Sequence, residues 1–218
     1  MMLEKYWTIF DDGTDEIIEK KSRFISYIAL AETEEEALKY IEKLKKKYWD
    51  ARHHCYAFRI GTEHVLERCS DDGEPSGTAG KPMLEVLAGK GLYNVVAVVI
   101  RYFGGTLLGT GGLVRAYTKS IQAGIEAAVL VEKQLGYLVD VVCDYSFYGK
   151  IQYIAATEGV YMLDTQYTDA VTVQLLVPFE KMGLLRKKLM EASCGAIQLD
   201  EGEQTYFGIV EKEVMLFD

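Results

Sequence analysis

The sequence lacks any apolar stretch long enough to cross a membrane. Its longest aliphatic run, Val95 to Ile100, falls far short of the roughly 20 residues a spanning helix needs. The segment Met1 to Phe10 mixes Glu4 and Lys5 with aromatics and lacks the apolar core of a signal peptide. Both absences lead to the expectation of a cytoplasmic protein with no membrane partner. Cysteine is scarce as well. Cys55, Cys69, Cys143 and Cys194 are scattered and form no CxxC pair, so packed, reduced thiols are expected rather than a disulfide framework or a zinc site.

An excess of positive charge is also missing. The formal net charge is −9, which argues against wholesale coating of nucleic acid. The deficit is uneven: 18 basic against 20 acidic residues up to Leu135, and 6 against 13 from Gly136 onward. An anionic partner is therefore expected to meet the first half, at a local basic site.

What is present is enough for two cores. The 218 residues are 49% hydrophobic, which excludes wholesale disorder and allows two small domains. In the first half, strand patterns run over Lys5 to Phe10, Glu16 to Lys21 and Arg23 to Leu30. A helix follows from Thr33 to about Tyr48, opened by a Thr33–Glu36 capping box, with acids in its first turn and Lys45 to Lys47 in its last. Strands are expected at His54 to Ile60, His64 to Arg68 and Val95 to Tyr102, and helices at Pro82 to Ala88 and Leu113 to about Val129. From Tyr137 the order reads βαββαβ, the split βαβ unit of ferredoxin-like domains: strand to Tyr145, helix Tyr148 to Glu158 stopped by Gly159, strands Val160 to Tyr167 and Val171 to Val177, helix Phe179 to Glu191, and a last strand region that includes Gly208 to Leu216. The expected class is α+β, with domains at 1–133 and 136–218.

Two segments could carry chemistry. Ser70 to Pro82 is dense in turn-forming residues and includes Asp72, Glu74, Gly77, Thr78, Gly80 and Lys81. Arg101 to Arg115 runs strand, glycine loop, helix, through Tyr102, Phe103, Gly104, Gly105, Gly109, Gly111 and Gly112. Bare backbone next to a helix N-terminus can receive an anion, and Arg101 and Arg115 are expected to converge on it as two guanidinium groups suited to phosphate or carboxylate. The alternative is that the glycines only allow a tight turn. A P-loop fails, because Thr110 and Gly111 follow Gly109 where Lys and Ser/Thr are required, and a GxGxxG fingerprint fails at Val114. No nucleotide cofactor is expected. Asp71, Asp72 and Glu74 lack calcium-loop spacing, so no metal is expected, and the Asp and Thr side chains of this loop are read as bonding local backbone. His53, beside a strand, is open to a structural role or a place beside the loops. Tyr102 and Phe103 are the candidates for base stacking.

Asp72-Gly73-Glu74-Pro75, then Gly77-Thr78-Ala79-Gly80 and Pro82, resemble the first signature of the YigZ/IMPACT family. Arg101-Tyr102-Phe103-Gly104-Gly105, Leu108-Gly109, Gly111-Gly112-Leu113 and Arg115-Ala116-Tyr117 resemble the second. Lys21-Ser22-Arg23-Phe24 and His53, Cys55 and Ala57 also match in place. The resemblance implies a first domain like a small-subunit ribosomal protein domain and domain IV of elongation factor G, and a ferredoxin-like second domain like domain V of that factor. Eukaryotic members restrain the starvation-responsive initiation-factor kinase by competing for its activator. Those members carry an N-terminal RWD domain, which is not expected here, so the resemblance points to the bacterial YigZ branch. It supplies no established catalytic set.

The reading is therefore a binding module in translation regulation rather than an enzyme. Its expected partners are RNA, the ribosome or a translation-control protein, met through Arg23, His53, the two loops, Lys81, Arg101 and Arg115. The alternative is a small hydrolase of peptides or phosphoesters using Asp72, Glu74 or Ser76 with His53. A purely structural partner protein is a third reading. The sequence leaves the oligomeric state open.

Overall fold

The computed structural model describes residues 3–217. The chain divides into two compact units between Glu132 and Lys133. Both are α+β, with antiparallel sheets and packed helices.

The first unit contains β1 (Lys5–Asp11), β2 (Gly13–Glu19), β3 (Ser22–Leu30), α1 (Glu34–Lys47), β4 (His53–Ile60), β5 (Leu66–Ser70), α2 (Gly80–Gly89), β6 (Val95–Tyr102) and α3 (Thr110–Glu126). Its sheet has the order β2-β3-β6-β4-β5, antiparallel at every pairing. β1 lies off this sheet and pairs instead with β7 (Val129–Cys143), and its Trp7 also makes an isolated parallel bridge to Leu92.

β6 explains the apolar run. Val95, Ala97 and Val99 pack with α2 and α3 through Met83, Leu87, Tyr117 and Ile121. Val96, Val98 and Ile100 pack on the other face with Ala37, Ile41 and Leu44 of α1. All six are fully buried, and a strand covered on both faces needs no polar alternation. Each of the larger side chains contributes about 1.5–3 kcal/mol by leaving water. α1 begins as its sequence dictates: the Glu36 amide donates to Thr33 Oγ1, and the Thr33 amide to Glu36 Oε2.

The second unit takes its first strand from β7 (Val129–Cys143), followed by α4 (Tyr145–Glu158), β8 (Tyr161–Tyr167), β9 (Val171–Pro178), a 3-10 turn (Phe179–Lys181), α5 (Met182–Ala192), β10 (Gln198–Val210) and β11 (Glu213–Phe217). The sheet order is β11-β10-β7-β9-β8. Its βαββαβ portion is ordered fourth, first, third, second, as in ferredoxin-like domains.

Three differences from the sequence reading have physical causes. β7 begins eight residues earlier than expected, because Val131, Lys133 and Leu135 alternate inward. The division of the chain thus lies inside a strand, not a loop. The last strand is really two, joined by Glu211 and Lys212 at φ 51° and 74°. Lys20 and Lys21, expected to end a strand, instead form the β2–β3 turn at φ 44° and 67°. Both turns have the two left-handed residues of a type I′ hairpin but none of its usual Asn-Gly signal.

No helix among the described residues is long and apolar enough to cross a membrane.

Candidate functional site

The two glycine-rich segments meet at one end of the first unit's sheet. Register places Phe24 opposite Arg101, His53 opposite Arg101, and Arg23 opposite Tyr102. The start of β3, the start of β4 and the end of β6 therefore share this end. Tyr56 pairs with Ser70, so the segment after β5 leaves from beside them.

That segment is held by its own acids. Asp71 Oδ1 accepts from the Ala79 and Gly80 amides, both at 2.9 Å, and Oδ2 from Gly77 at 2.8 Å. It thereby caps α2 from a distance, in place of the Ncap side chain that Ala79 cannot provide. Burial alone would raise the Asp71 carboxyl, but the three amide donors outweigh it and hold the group below its ordinary value of 3.8. Asp72 accepts from the His54 amide at 2.7 Å, with Lys45 3.6 Å away. Thr78 is buried and donates to the Pro75 carbonyl at 2.6 Å.

Glu74 turns inward. Arg101 Nη1 donates to its Oε1 at 2.5 Å, and the two side chains are only 6% and 3% exposed. Tyr117 Oη donates to the same oxygen at 2.8 Å, and Cys55 Sγ donates to Tyr117 at 3.3 Å. Burial pushes both the Tyr117 hydroxyl and the Cys55 thiol far above their usual ranges, so neither ionises here. The Arg101 guanidinium lies over the rings of Phe24 and Phe103, 5.3 and 5.7 Å from their centroids. Its Nε has no acceptor.

Above this pair opens a pocket of about 410 Å³. Glu74 and Arg101 lie in its lining. Pro75, Phe103, Leu107, Leu108 and Leu113 supply apolar wall, and Arg52, His53, Gly109 and Thr110 complete it. Phe103 is 50% exposed and Leu107 82%. His53 Nδ1 donates to the Asp72 carbonyl at 2.9 Å. A carbonyl can only accept, so in the neutral imidazole Nε2 is the acceptor nitrogen. α3 begins beside the pocket from Gly109 at φ 74°, with no side-chain cap and no acid in its first turn. At Gly104 a Cβ would lie 2.0 Å from the Lys21 carbonyl carbon. That position requires glycine because backbone crosses backbone there, and the Gly104 amide donates to the buried Ser22 hydroxyl at 3.1 Å.

The expected convergence of two free guanidinium groups is corrected. Arg101 is buried and neutralised by Glu74, because the end of β6 turns it under the loop rather than into solvent. Arg115 is exposed on α3 and does not line the pocket. Arg23 is also engaged, by two bonds to Glu16 at 2.9 and 2.7 Å, and lies over the Tyr102 ring at 5.4 Å. Tyr102 donates to Asp50 at 2.8 Å. The set considered for hydrolysis is not assembled either: His53 bonds the Asp72 carbonyl, Glu74 bonds Arg101 and Tyr117, and neither bonds Ser76. His53, Glu74, Arg101, Phe103 and Gly109 do come together. Gly77 and Gly80 serve the Asp71 cap, Gly105 sits in the loop at φ 83°, Gly111 and Gly112 form the first turn of α3, and Lys81 is exposed on α2.

Sequence reasoning missed the apolar wall and three of the cations that remain unpaired, Lys20, Lys21 and Arg52. Leu107-Leu108 inside a glycine loop was a visible signal for the wall. Lys20, Lys21, Arg52, Lys81 and Arg115 are exposed, and none of them has an ion-pair partner among the described residues. Lys20 and Lys21 precede Ser22, whose hydroxyl holds Gly104, and Arg52 lines the pocket. Among the described residues, no group of His, Cys, Asp and Glu is placed to hold a metal ion.

Comparison with known proteins gives two family matches, the Impact N-terminal domain over residues 20–125 and a domain of unknown function (DUF1949) over residues 141–196. The chain is 40% identical over 205 residues to the IMPACT family member YvyE of Bacillus subtilis, covering 94% of each chain. It is 36% identical over 182 residues to the IMPACT family member YigZ of Escherichia coli, covering 83% of this chain and 89% of that one. A crystal structure described as that of an hypothetical protein matches at TM-score 0.60 and 34% identity, covering 93% of this chain and 99% of the other.

Proposed function

This chain belongs to the IMPACT family, and from that premise we propose that it is a binding module in translation regulation that engages RNA of the translation machinery, in the cytoplasm, at the glycine-loop end of its first unit. One observation carries the reading. At this end three carboxylates are turned to internal donors: Asp71 to the amides that open α2, Asp72 to the start of β4 and Glu74 to Arg101. The cations Lys20, Lys21 and Arg52 are left exposed. On a chain of net charge −9, that segregation presents the cations rather than the carboxylates to an anionic partner. This arrangement differs from the converging arginine pair first expected, because its charge comes from the β2–β3 turn and the start of β4.

The physical consequence is salt dependence. Each cation that neutralises an RNA phosphate releases counterions, and affinity falls with salt in proportion to the contacts made. Filter binding of single-stranded RNA across a salt series tests this. Lys20→Ala/Lys21→Ala/Arg52→Ala should bind more weakly and lower the slope by about 0.7 per contact removed. An unchanged affinity and slope in that variant would remove RNA binding from this end of the molecule.

A further inference from the structure

We propose that the glycine-loop pocket takes a single unstacked nucleotide, with its base against the apolar wall and its phosphate on the first turn of α3. The proposal rests on the RNA reading above and names what part of an RNA the pocket holds.

Three independent features point to a ligand that is both flat and anionic. The first is the wall. Phe103 and Leu107 stand exposed at the mouth, and Leu108, Pro75 and Leu113 continue the apolar surface inward. The cavity of about 410 Å³ falls in the range of small-molecule sites. Such a wall beside an aromatic ring accepts any base face.

The second feature is α3. Its first-turn amides have no capping side chain, and its first turn carries no acid. Gly109 and Gly111 have nothing within 4 Å of where a Cβ would stand. An anion can therefore approach the amides of this 17-residue helix closely, with the helix dipole favouring it. Gly109 and Thr110 line the same pocket as Phe103, so both ends of a nucleotide are served within one cavity.

The third feature is unused hydrogen-bonding capacity. Arg101 is 5% exposed and lines the pocket, yet its Nε has no acceptor. An orphan donor of this kind calls for a partner that the chain itself does not supply. His53 Nε2 is the complementary acceptor on the same pocket. The Watson–Crick edge of every base carries both a donor and an acceptor, whereas a phosphodiester carries only acceptors. A charged pocket with no apolar wall would suit inorganic phosphate. An apolar pocket without the open helix end would suit a protein side chain.

Titration of the full chain with adenosine 5′-monophosphate, uridine 5′-monophosphate, adenosine and inorganic phosphate tests the proposal, read by calorimetry and by competition with labelled RNA. Both monophosphates should bind, more tightly than adenosine or phosphate, and displace the RNA. Phe103→Ala should weaken monophosphate binding by roughly tenfold, the loss expected when one base loses its aromatic partner. Thr110→Asp places a carboxylate in the first turn, where it favours the helix but repels phosphate. It should keep or raise the melting temperature and reduce the monophosphate to the affinity of adenosine. RNA binding with no monophosphate binding would overturn this inference and leave the RNA reading standing. Monophosphate binding with no RNA binding would support the pocket and overturn the RNA reading. If Phe103→Ala weakened ribosome association while no monophosphate bound, the pocket would hold an apolar protein side chain and the inference would be wrong.

Discussion

Arg101 and Glu74 meet at 2.5 Å beneath the glycine-loop pocket, although they stand 27 residues apart and on different elements. Neither charge reaches solvent to any useful extent. The pair ties the end of β6 to the loop before α2, so one contact forms the floor of the site and adds to the Asp71 and Asp72 bonds that hold that loop.

A buried pair of this kind is most vulnerable to loss of one partner. Glu74→Gln should destabilise the first unit by about 3–5 kcal/mol, because the Arg101 guanidinium then sits uncompensated. Adding Arg101→Met should recover most of that loss, since the glutamine still accepts from Tyr117. Urea denaturation of the wild type, both single variants and the double variant measures the recovery. A double variant as unstable as Glu74→Gln alone would show that the charge pairing is not what holds the loop.

Two glycines a few residues apart should behave in opposite ways. At Gly104 a Cβ would meet the Lys21 backbone at 2.0 Å. Gly104→Ala should therefore cost on the order of 3 kcal/mol, the upper end of overpacking. Gly111 has open space around it and lies in α3, so Gly111→Ala should be neutral or stabilise by up to about 1 kcal/mol. Thermal melts of the two variants decide the matter.

Asp71 makes stability depend on acidity in a stated direction. Its carboxyl is depressed below 3.8 in the folded chain, because amide donation outweighs burial. The stabilisation it gives is fully present above 3.8 and is lost as pH falls through the depressed value. Asp71→Ala should be less stable than wild type at neutral pH and should show a flatter loss on acidification. Equilibrium unfolding followed from pH 7 to pH 2 compares the slopes.

Much of this architecture was legible in the residues. The Thr33–Glu36 box, the strand at Val95 to Tyr102 and the stop at Gly159 are local features, and local chemistry decided them. The βαββαβ order of the second unit followed from periodicity alone. The two loop segments were also located correctly, because glycine density marks where backbone must approach backbone. What stayed hidden was pairing at a distance. Nothing in the segment around Arg101 tells that Glu74 will neutralise it, so two arginines near a glycine loop read as a free pair. Lys20 and Lys21 were missed because a hairpin turn of two lysines at positive φ carries no glycine or asparagine to announce it. The extra strand at Glu213–Phe217 was missed for the same reason, at Glu211 and Lys212.

The central claim is that the glycine-loop end of the first unit engages the translation machinery. Co-sedimentation of the full chain with purified ribosomes at low and moderate salt tests it most directly. The comparison sets Lys20→Ala/Lys21→Ala/Arg52→Ala against Lys150→Ala/Lys187→Ala/Lys212→Ala, which removes the same charge from the second unit. Wild type and the second variant should pellet with ribosomes at low salt and be released as salt rises, while the first variant stays in the supernatant. Equal pelleting of both variants, or no pelleting of the wild type at any salt, would contradict the account.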